Sequence, residues 1–238
     1  MILAPEVTAH IKDYCRLQYP NEACGLIVDG QFVPVANLSS TPTETFEMHQ
    51  NVWLDFKIEA VIHSHVNGNN HPSEADMRFQ MASAVPWGLV CVSPEGHVTE
   101  PWFWGDWTVE LDYLGRKWRH GPTGTDGGGD CYALVRDFYK HELGIELKEF
   151  ARSYEWVENG DNFFEKNFEN TGFIRISESE LQENDCFLMS INSNGIPNHC
   201  GIYRGKGLGL HHLMNRLSRH DPLHSWRKYI THYLRYNG

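Results

Sequence analysis

The sequence predicts an α+β chain built as two successive units, and three observations carry that prediction. An alternating, β-branched stretch, Ile58-Glu59-Ala60-Val61-Ile62, runs into His63-Ser64-His65. After seven intervening residues comes Ser73-Glu74-Ala75-Asp76, so a strand leads to a helix start. Far downstream, Gly127-Gly128-Gly129-Asp130-Cys131 opens a second helical stretch. The charge also changes between them: residues 1–110 hold 4 Lys and Arg against 14 Asp and Glu, whereas 111–238 hold 16 against 17. A chain of 238 residues suits one large domain or two small ones, and 41% hydrophobic content supports a buried core. At a net charge of −11 it lacks the basic face that phosphates require, which argues against nucleic acid as a partner.

From the N-terminus, Pro5–Gln18 reads as an amphipathic helix with Val7, Ile11, Tyr14, Cys15 and Leu17 on one face. Tyr19-Pro20-Asn21 stops it. Cys24–Val28 and Gln31–Val35 flank Asp29-Gly30, which predicts a hairpin. Residues 37–50 are polar, with Phe46-Glu47-Met48 as an edge strand, and 52–56 form a short helix. Successive strand side chains alternate faces, so His63 and His65 project from one side and can reach one ion. Ser73 caps a helix over 74–84 and puts Asp76 on its first turn, able to point back at the imidazoles. Two His and one Asp leave a fourth tetrahedral position open, the arrangement of a catalytic zinc. Residues 89–92 and 98–103 supply further strands. The aromatic run 102–107 reads as core or interdomain packing rather than a platform for sugars.

The spacing H-x-H, seven residues, S-x-x-D, with Asn21-Glu22-Ala23-Cys24-Gly25 ahead of a strand, resembles the JAB/MPN metallopeptidases and their JAMM signature. The resemblance implies a JAB/MPN-like sheet-and-helix domain with Zn2+ held by His63, His65 and Asp76. It also implies Glu22 as general base toward water and Ser73 as hydrogen-bond donor to a developing oxyanion.

Residues 114–129 contain Gly115, Gly121, Gly124 and Gly127-Gly128-Gly129, read as part linker and part active-site loop. Domains are therefore expected at 1–110 and 130–238, with 111–129 between them. Asp130 is a good N-cap, Leu134, Val135, Phe138 and Leu143 make an apolar helix face, and Gly144 ends the helix. Cys131 then lies in the first turn, where the helix dipole and free N–H groups favour a thiolate. Residues 185–191 read as a strand, and His199–Tyr203 pairs through Arg204-Gly205-Lys206 with 207–212. A three-residue turn pairs residue i with 410 − i, setting His199 opposite His211 and turning His212 away. Cys131, His199 and His211 thereby line up as nucleophile, base and orienter. Cys200 is expected in the core.

Asp130-Cys131 at a helix start, His199-x-Gly201-Ile202-Tyr203 and His211 resemble the NlpC-type cell-wall cysteine peptidases. That papain-like family cleaves peptidoglycan stem peptides, commonly between D-glutamate and diaminopimelate. The chain departs from the family at Tyr132-Ala133, where Ser-Gly is usual. Trp118 is the nearest counterpart of a tyrosine that helps the oxyanion, which leaves the Cys131 backbone N–H as a donor.

Both motif sets in this order resemble the K-like tail assembly proteins of long-tailed phages. The resemblance implies a bifunctional tail tip hydrolase: a cysteine endopeptidase on wall peptides joined to a zinc (iso)peptidase. Its partners would be peptidoglycan stem peptides and other phage tail tip proteins. Its places would be the host cytoplasm during assembly and the virion tail tip. A structural or chaperone tail component with vestigial sites, and a cellular isopeptidase, are the alternatives. Six cysteines without a C-x-x-C pair read as reduced thiols. Residues 1–6 lack a signal-peptide pattern, and no run of about 18 apolar residues offers a membrane span.

Overall fold

The computed structural model describes residues 3–105 and 111–238. The chain divides into two compact units, Met1–Val109 with Gly124–Asp126, and Glu110–Thr123 with Gly127–Gly238. The boundary expected at residue 110, and Trp107, lie outside the described residues. The stretch 111–129 runs mostly within the second unit, where Arg116, Arg119 and His120 are buried.

The first unit has a five-stranded sheet in the order β2-β1-β3-β4-β5. The strands are β1 (Cys24–Val28), β2 (Gln31–Val35), β3 (Ala60–His65), β4 (Trp87–Cys91) and β5 (Trp102–Trp104). The β1–β2 hairpin closes on Asp29 and Gly30, both at positive φ (49° and 69°), the conformation that a two-residue turn of this hand demands. Helix α1 (Pro5–Gln18) lays Val7, Ile11 and Cys15 against Ile27, Phe32, Ile62, Val90 and Phe103. Leu17 departs from expectation and is 80% exposed. Two positions past Cys15 is about 200° around the helix, which turns it to solvent.

The opposite face of the sheet carries Leu26, Val61, Trp87, Leu89, Trp102 and Trp104. Two-residue alternation thus sends Phe103 to one core and the flanking tryptophans to the other. β5 is shorter than expected, and Val98 contributes only a single bridge to Val92. Residues 46–48 form no strand; Leu38 N–H donates to Glu47 C=O (2.8 Å) and Glu47 N–H to the Asn37 side chain (3.1 Å). The short helix α2 spans Val52–Asp55; among the described strands of this sheet only β3 and β4 run parallel, joined by a crossover through α3 (Glu74–Ser83). The carboxyl end of β3 and the start of α3 therefore meet at one end of the sheet, where such crossovers leave a crevice.

The second unit has a six-stranded sheet in the order β10-β9-β8-β7-β11-β6. Its strands are β6 (Phe173–Ile176), β7 (Cys186–Met189), β8 (His199–Tyr203), β9 (Leu208–His211), β10 (Arg219–Pro222) and β11 (Ile230–Tyr236). All neighbours are antiparallel. Helix α4 (Cys131–Leu143) packs Leu134, Val135, Phe138 and Tyr139 with Leu188, Cys200, Ile202 and Leu234. Gly144 caps it in the left-handed region (φ 67°), as its position past the apolar face predicts.

The β8–β9 register corrects the expected one. Gly201 faces His211 and Ile202 faces Leu210, so partners sum to 412, not 410. Five residues, 204–208, separate the paired Tyr203 and Gly209, with Gly205, Lys206 and Gly207 all at positive φ. A slip of two preserves which face each side chain takes, so the functional histidines still share a side. Gly201 has no room for a side chain: a Cβ would stand 2.4 Å from Phe187 and 2.9 Å from the His211 Cβ.

A buried ion pair locks the start of α4. Asp130 caps it by accepting from Ala133 N–H (2.9 Å), while its other oxygen accepts from Arg152 (2.6 and 2.9 Å) and Gly121 N–H (3.0 Å). Both side chains are nearly fully enclosed. Arg152→Met strands a buried carboxylate, and the expected loss is about 3–5 kcal/mol of unfolding free energy in urea titration. A loss below about 1 kcal/mol would show the pair to be dispensable.

Candidate active sites

Three ligand-type side chains converge at the end of β3. His63 and His65 point to the tryptophan face, their Nε2 atoms 3.2 Å apart. Asp76 Oδ1 lies 3.5 Å from His63 Nε2 and Oδ2 3.4 Å from His65 Nε2. All donor atoms of the trio fall within 4.8 Å of one another, and all three residues are buried. His63 stacks on Phe46 at 4.7 Å between ring centres. His65 Nδ1 faces the Asn69 carbonyl at 2.9 Å; a carbonyl only accepts, so the proton sits on Nδ1 and the Nε2 lone pair faces the cluster. Two imidazole nitrogens so close, beside a carboxylate, suit a shared cation. These residues fit a metal ion.

Asp76 is placed by the capping box that the sequence pattern predicts. Ser73 Oγ accepts from Asp76 N–H (3.1 Å), and Asp76 Oδ2 accepts from Ser73 N–H (2.7 Å). Ser73 Oγ–H also donates to Asp76 Oδ2 (2.7 Å), so the hydroxyl proton expected to serve an oxyanion is engaged with the carboxylate here. Burial pushes the Asp76 pKa up, but His63 and His65 overcome this and hold it well below the usual carboxylate range.

Glu22 reaches the cluster through strand pairing. Cys24 sits opposite His63, and Ala23 and Ser64 exchange hydrogen bonds of 2.8 and 2.9 Å. Glu22 is 3% exposed and lines a cleft of about 340 Å³ together with His65, His71, Ser73 and Asp76. Burial raises its pKa, against the pull of His63 and His65, which favours a carboxyl that exchanges protons nearer neutrality. Phe46, Trp53, Phe79 and Trp87 form the apolar walls.

The second constellation starts at the first residue of α4. Cys131 is brought down to about 5: the Cys200 thiol donates a hydrogen bond to its sulfur, burial opposes, and the charge and hydrogen bond of His199 add to the lowering. Cys200 itself is pushed well above the usual thiol range by burial and by the neighbouring Cys131, so it remains the proton-bearing partner. His199 Nε2 lies 3.0 Å from His211 Nδ1. His211 Nε2 lies 3.2 Å from Asp221 Oδ2. His211 is lowered to about 4, by burial first and His199 next, and is therefore neutral at pH 7. His199, His211 and Asp221 thus form one hydrogen-bonded line, and the charge of His199 bears on the Cys131 thiol at the start of α4.

Two family models match the chain in sequence order. The model for prokaryotic homologs of the JAB domain covers residues 5–105, and that for the NlpC/P60 family covers residues 115–235. Tail tip assembly protein K of Escherichia phage lambda is 38% identical over 173 residues, 71% of this chain and 78% of that protein. The chain belongs to the tail tip assembly protein K family. Its counterpart in Escherichia phage N15 is 30% identical over 237 residues, 95% of this chain and 92% of that protein. Among solved structures, NlpC1 from Trichomonas vaginalis aligns over 52% of this chain with a TM-score of 0.38 and 21% identity; the chain spans 40% of that protein's length.

In this K-family chain the α+β pairing of a JAB-like domain with an NlpC/P60 domain is as the sequence predicts, and the second carries a cysteine-peptidase type of fold. Two neighbours of the sulfur site escaped sequence reasoning. Cys200 is in the core, as expected, yet its thiol also touches Cys131. Asp221 follows His211 by ten residues across a second hairpin whose turn holds Asn215 at φ 59°; that pairing was the available signal. No described helix is long and apolar enough to cross a membrane.

Proposed function

We propose that this chain is a tail tip hydrolase with two centres, kept in two domains at 1–110 and 130–238 that are joined through 111–129. In the second, Cys131 attacks an amide of peptidoglycan stem peptides, His199 is its base and later its acid, and His211 orients His199. The observation that carries this reading is the 3.0 Å contact of His199 with His211, beside a Cys131 thiol that the hydrogen bond from Cys200 and the charge of His199 bring down to about 5. The proton leaves Cys131 for His199 before attack and passes from His199 to the leaving amine afterwards. The Cys131 backbone N–H, at the first turn of α4 where no intrahelical carbonyl precedes it, serves as donor to the charge that develops on the carbonyl oxygen.

The first centre is an (iso)peptidase site in which His63, His65 and Asp76 would hold Zn2+. A zinc ion held there would supply Lewis acidity and lower the pKa of water toward neutrality. Glu22 takes and returns the proton from inside the cleft, and Ser73 turns its hydroxyl from Asp76 to the oxyanion. The names of the phage lambda and N15 relatives support a part in tail assembly, with other tail tip proteins as partners in the host cytoplasm and the virion tail tip as destination. Mass spectrometry of muropeptides released from purified peptidoglycan by the full chain tests the sulfur centre. Stems cut between D-glutamate and diaminopimelate are expected; intact stems would remove the endopeptidase assignment.

A further inference from the structure

We propose that Asp221 is a positioning residue of the cysteine site, fixing His211 in the one tautomer that can hold His199. The proposal rests on the assignment of Cys131 and His199 as nucleophile and base. Asp221 Oδ2 stands 3.2 Å from His211 Nε2, and an ionised carboxylate only accepts, so Nε2 carries the proton. A neutral imidazole has one N–H, which leaves His211 Nδ1 bare. Nδ1 is the atom 3.0 Å from His199 Nε2. His199 therefore donates from Nε2 to His211, and its other ring nitrogen is the one available to Cys131. When Cys131 gives up its proton, His199 becomes an imidazolium with both N–H groups already directed, one to sulfur and one to His211. No proton travels beyond His199; the carboxylate two rings away supplies orientation and negative charge.

The plainer account makes Asp221 half of an ordinary ion pair with Arg219, whose NH2 lies 2.9 Å from the same oxygen. Exposure decides between them. Arg219 is about half exposed, so that pair contributes little. His211 is 2% exposed, and its Nε2 has no water to turn to. The carboxylate is itself held in place: Trp226 Nε1–H points at Oδ2 from 3.3 Å, and the Trp226 ring packs edge-on against His211 at 5.3 Å. The groups facing Asp221 are thus His211 on β9, Arg219 on β10 and Trp226 on the 3-10 turn Leu223–Tyr229.

The test combines D221A and D221N with two readouts, the pH dependence of Cys131 alkylation, followed on the Cys131 peptide by mass spectrometry, and kcat and KM on wall peptides. Loss of the carboxylate is expected to lower kcat about 10–100-fold with KM unchanged, as removal of an outer orienting partner does. The alkylation midpoint is expected to rise by about one pH unit, since His199 no longer stabilises the thiolate in a fixed geometry. D221N keeps the shape of the side chain and is expected to behave like D221A, because its amide can donate to Nε2 and select the wrong tautomer; D221E should restore part of the rate. A folded D221N with the wild-type midpoint and kcat would overturn the proposal. If D221A fails to fold, D221N decides alone. Alkylation needs no substrate, so a chain that cuts no wall peptide still reports on Asp221, and the two readings fail separately.

Discussion

Cys131→Ala is expected to reduce wall-peptide cleavage by about 10⁴-fold or more, the scale on which loss of a nucleophile removes catalysis while binding persists. The variant keeps the N-cap, since Asp130 bonds to Ala133 N–H and Arg152 rather than to the sulfur. His199→Ala should lose nearly as much, and the double variant little more than either, because nucleophile and base act as one unit. The pH profile follows from the same geometry. With the thiol brought down to about 5, the reactive thiolate is present above that pH and is lost by protonation below it. kcat/KM should therefore climb through about pH 5 to a plateau rather than through the 8–9 of an unperturbed thiol. Rates of muropeptide release, measured by chromatography from pH 4 to 9, check both statements. Retention of more than a tenth of the rate in Cys131→Ala would place the chemistry elsewhere.

What the sequence revealed and what it hid divide along a physical line. Local rules were enough where one element sets the geometry. Two-residue alternation put His63 and His65 on one face, the capping box put Asp76 on the first turn of α3, and an N-cap Asp put Cys131 at a helix start. The β8–β9 hairpin shows how such rules tolerate error: the loop between paired residues is two residues longer than expected and the register slips by two, yet parity keeps His199 and His211 together. Contacts between elements were harder. Asp221 arrives on β10, whose existence requires the register of a third strand. Cys200 meets Cys131 because α4 packs across β8, and no pattern within a strand reports which helix lies over it. Glu22 enters the His63–His65–Asp76 cleft through the Cys24–His63 pairing; its residue type alone pointed nowhere, and the family pattern supplied the expectation. Ser73 is placed by the same local cap, with its hydroxyl proton on Asp76.

His63→Ala is expected to abolish stoichiometric zinc, from about one equivalent to less than about a tenth, because a three-ligand site reduced to two loses most of its affinity. Asp76 is the less informative ligand to remove. It also closes the capping box of α3, so its loss weakens the helix whether or not metal binds. His63 takes no part in that box; besides His65 and Asp76, its neighbours are the rings of Phe46, Trp87 and Trp104. Its removal still leaves a cavity, for it is 1% exposed, so absolute stability cannot serve as the readout. The difference made by zinc can. At a free concentration about 1,000 times its dissociation constant, an ion that binds only the folded chain adds about 4 kcal/mol. Wild type should show that increment in urea titration, and His63→Ala less than about 1 kcal/mol of it, with the metal content of each sample measured by plasma mass spectrometry. Full zinc in the variant would mean that the ion sits elsewhere, and the pairing of His65 with Asp76 would then be a structural contact of the kind that His232 makes with Glu165.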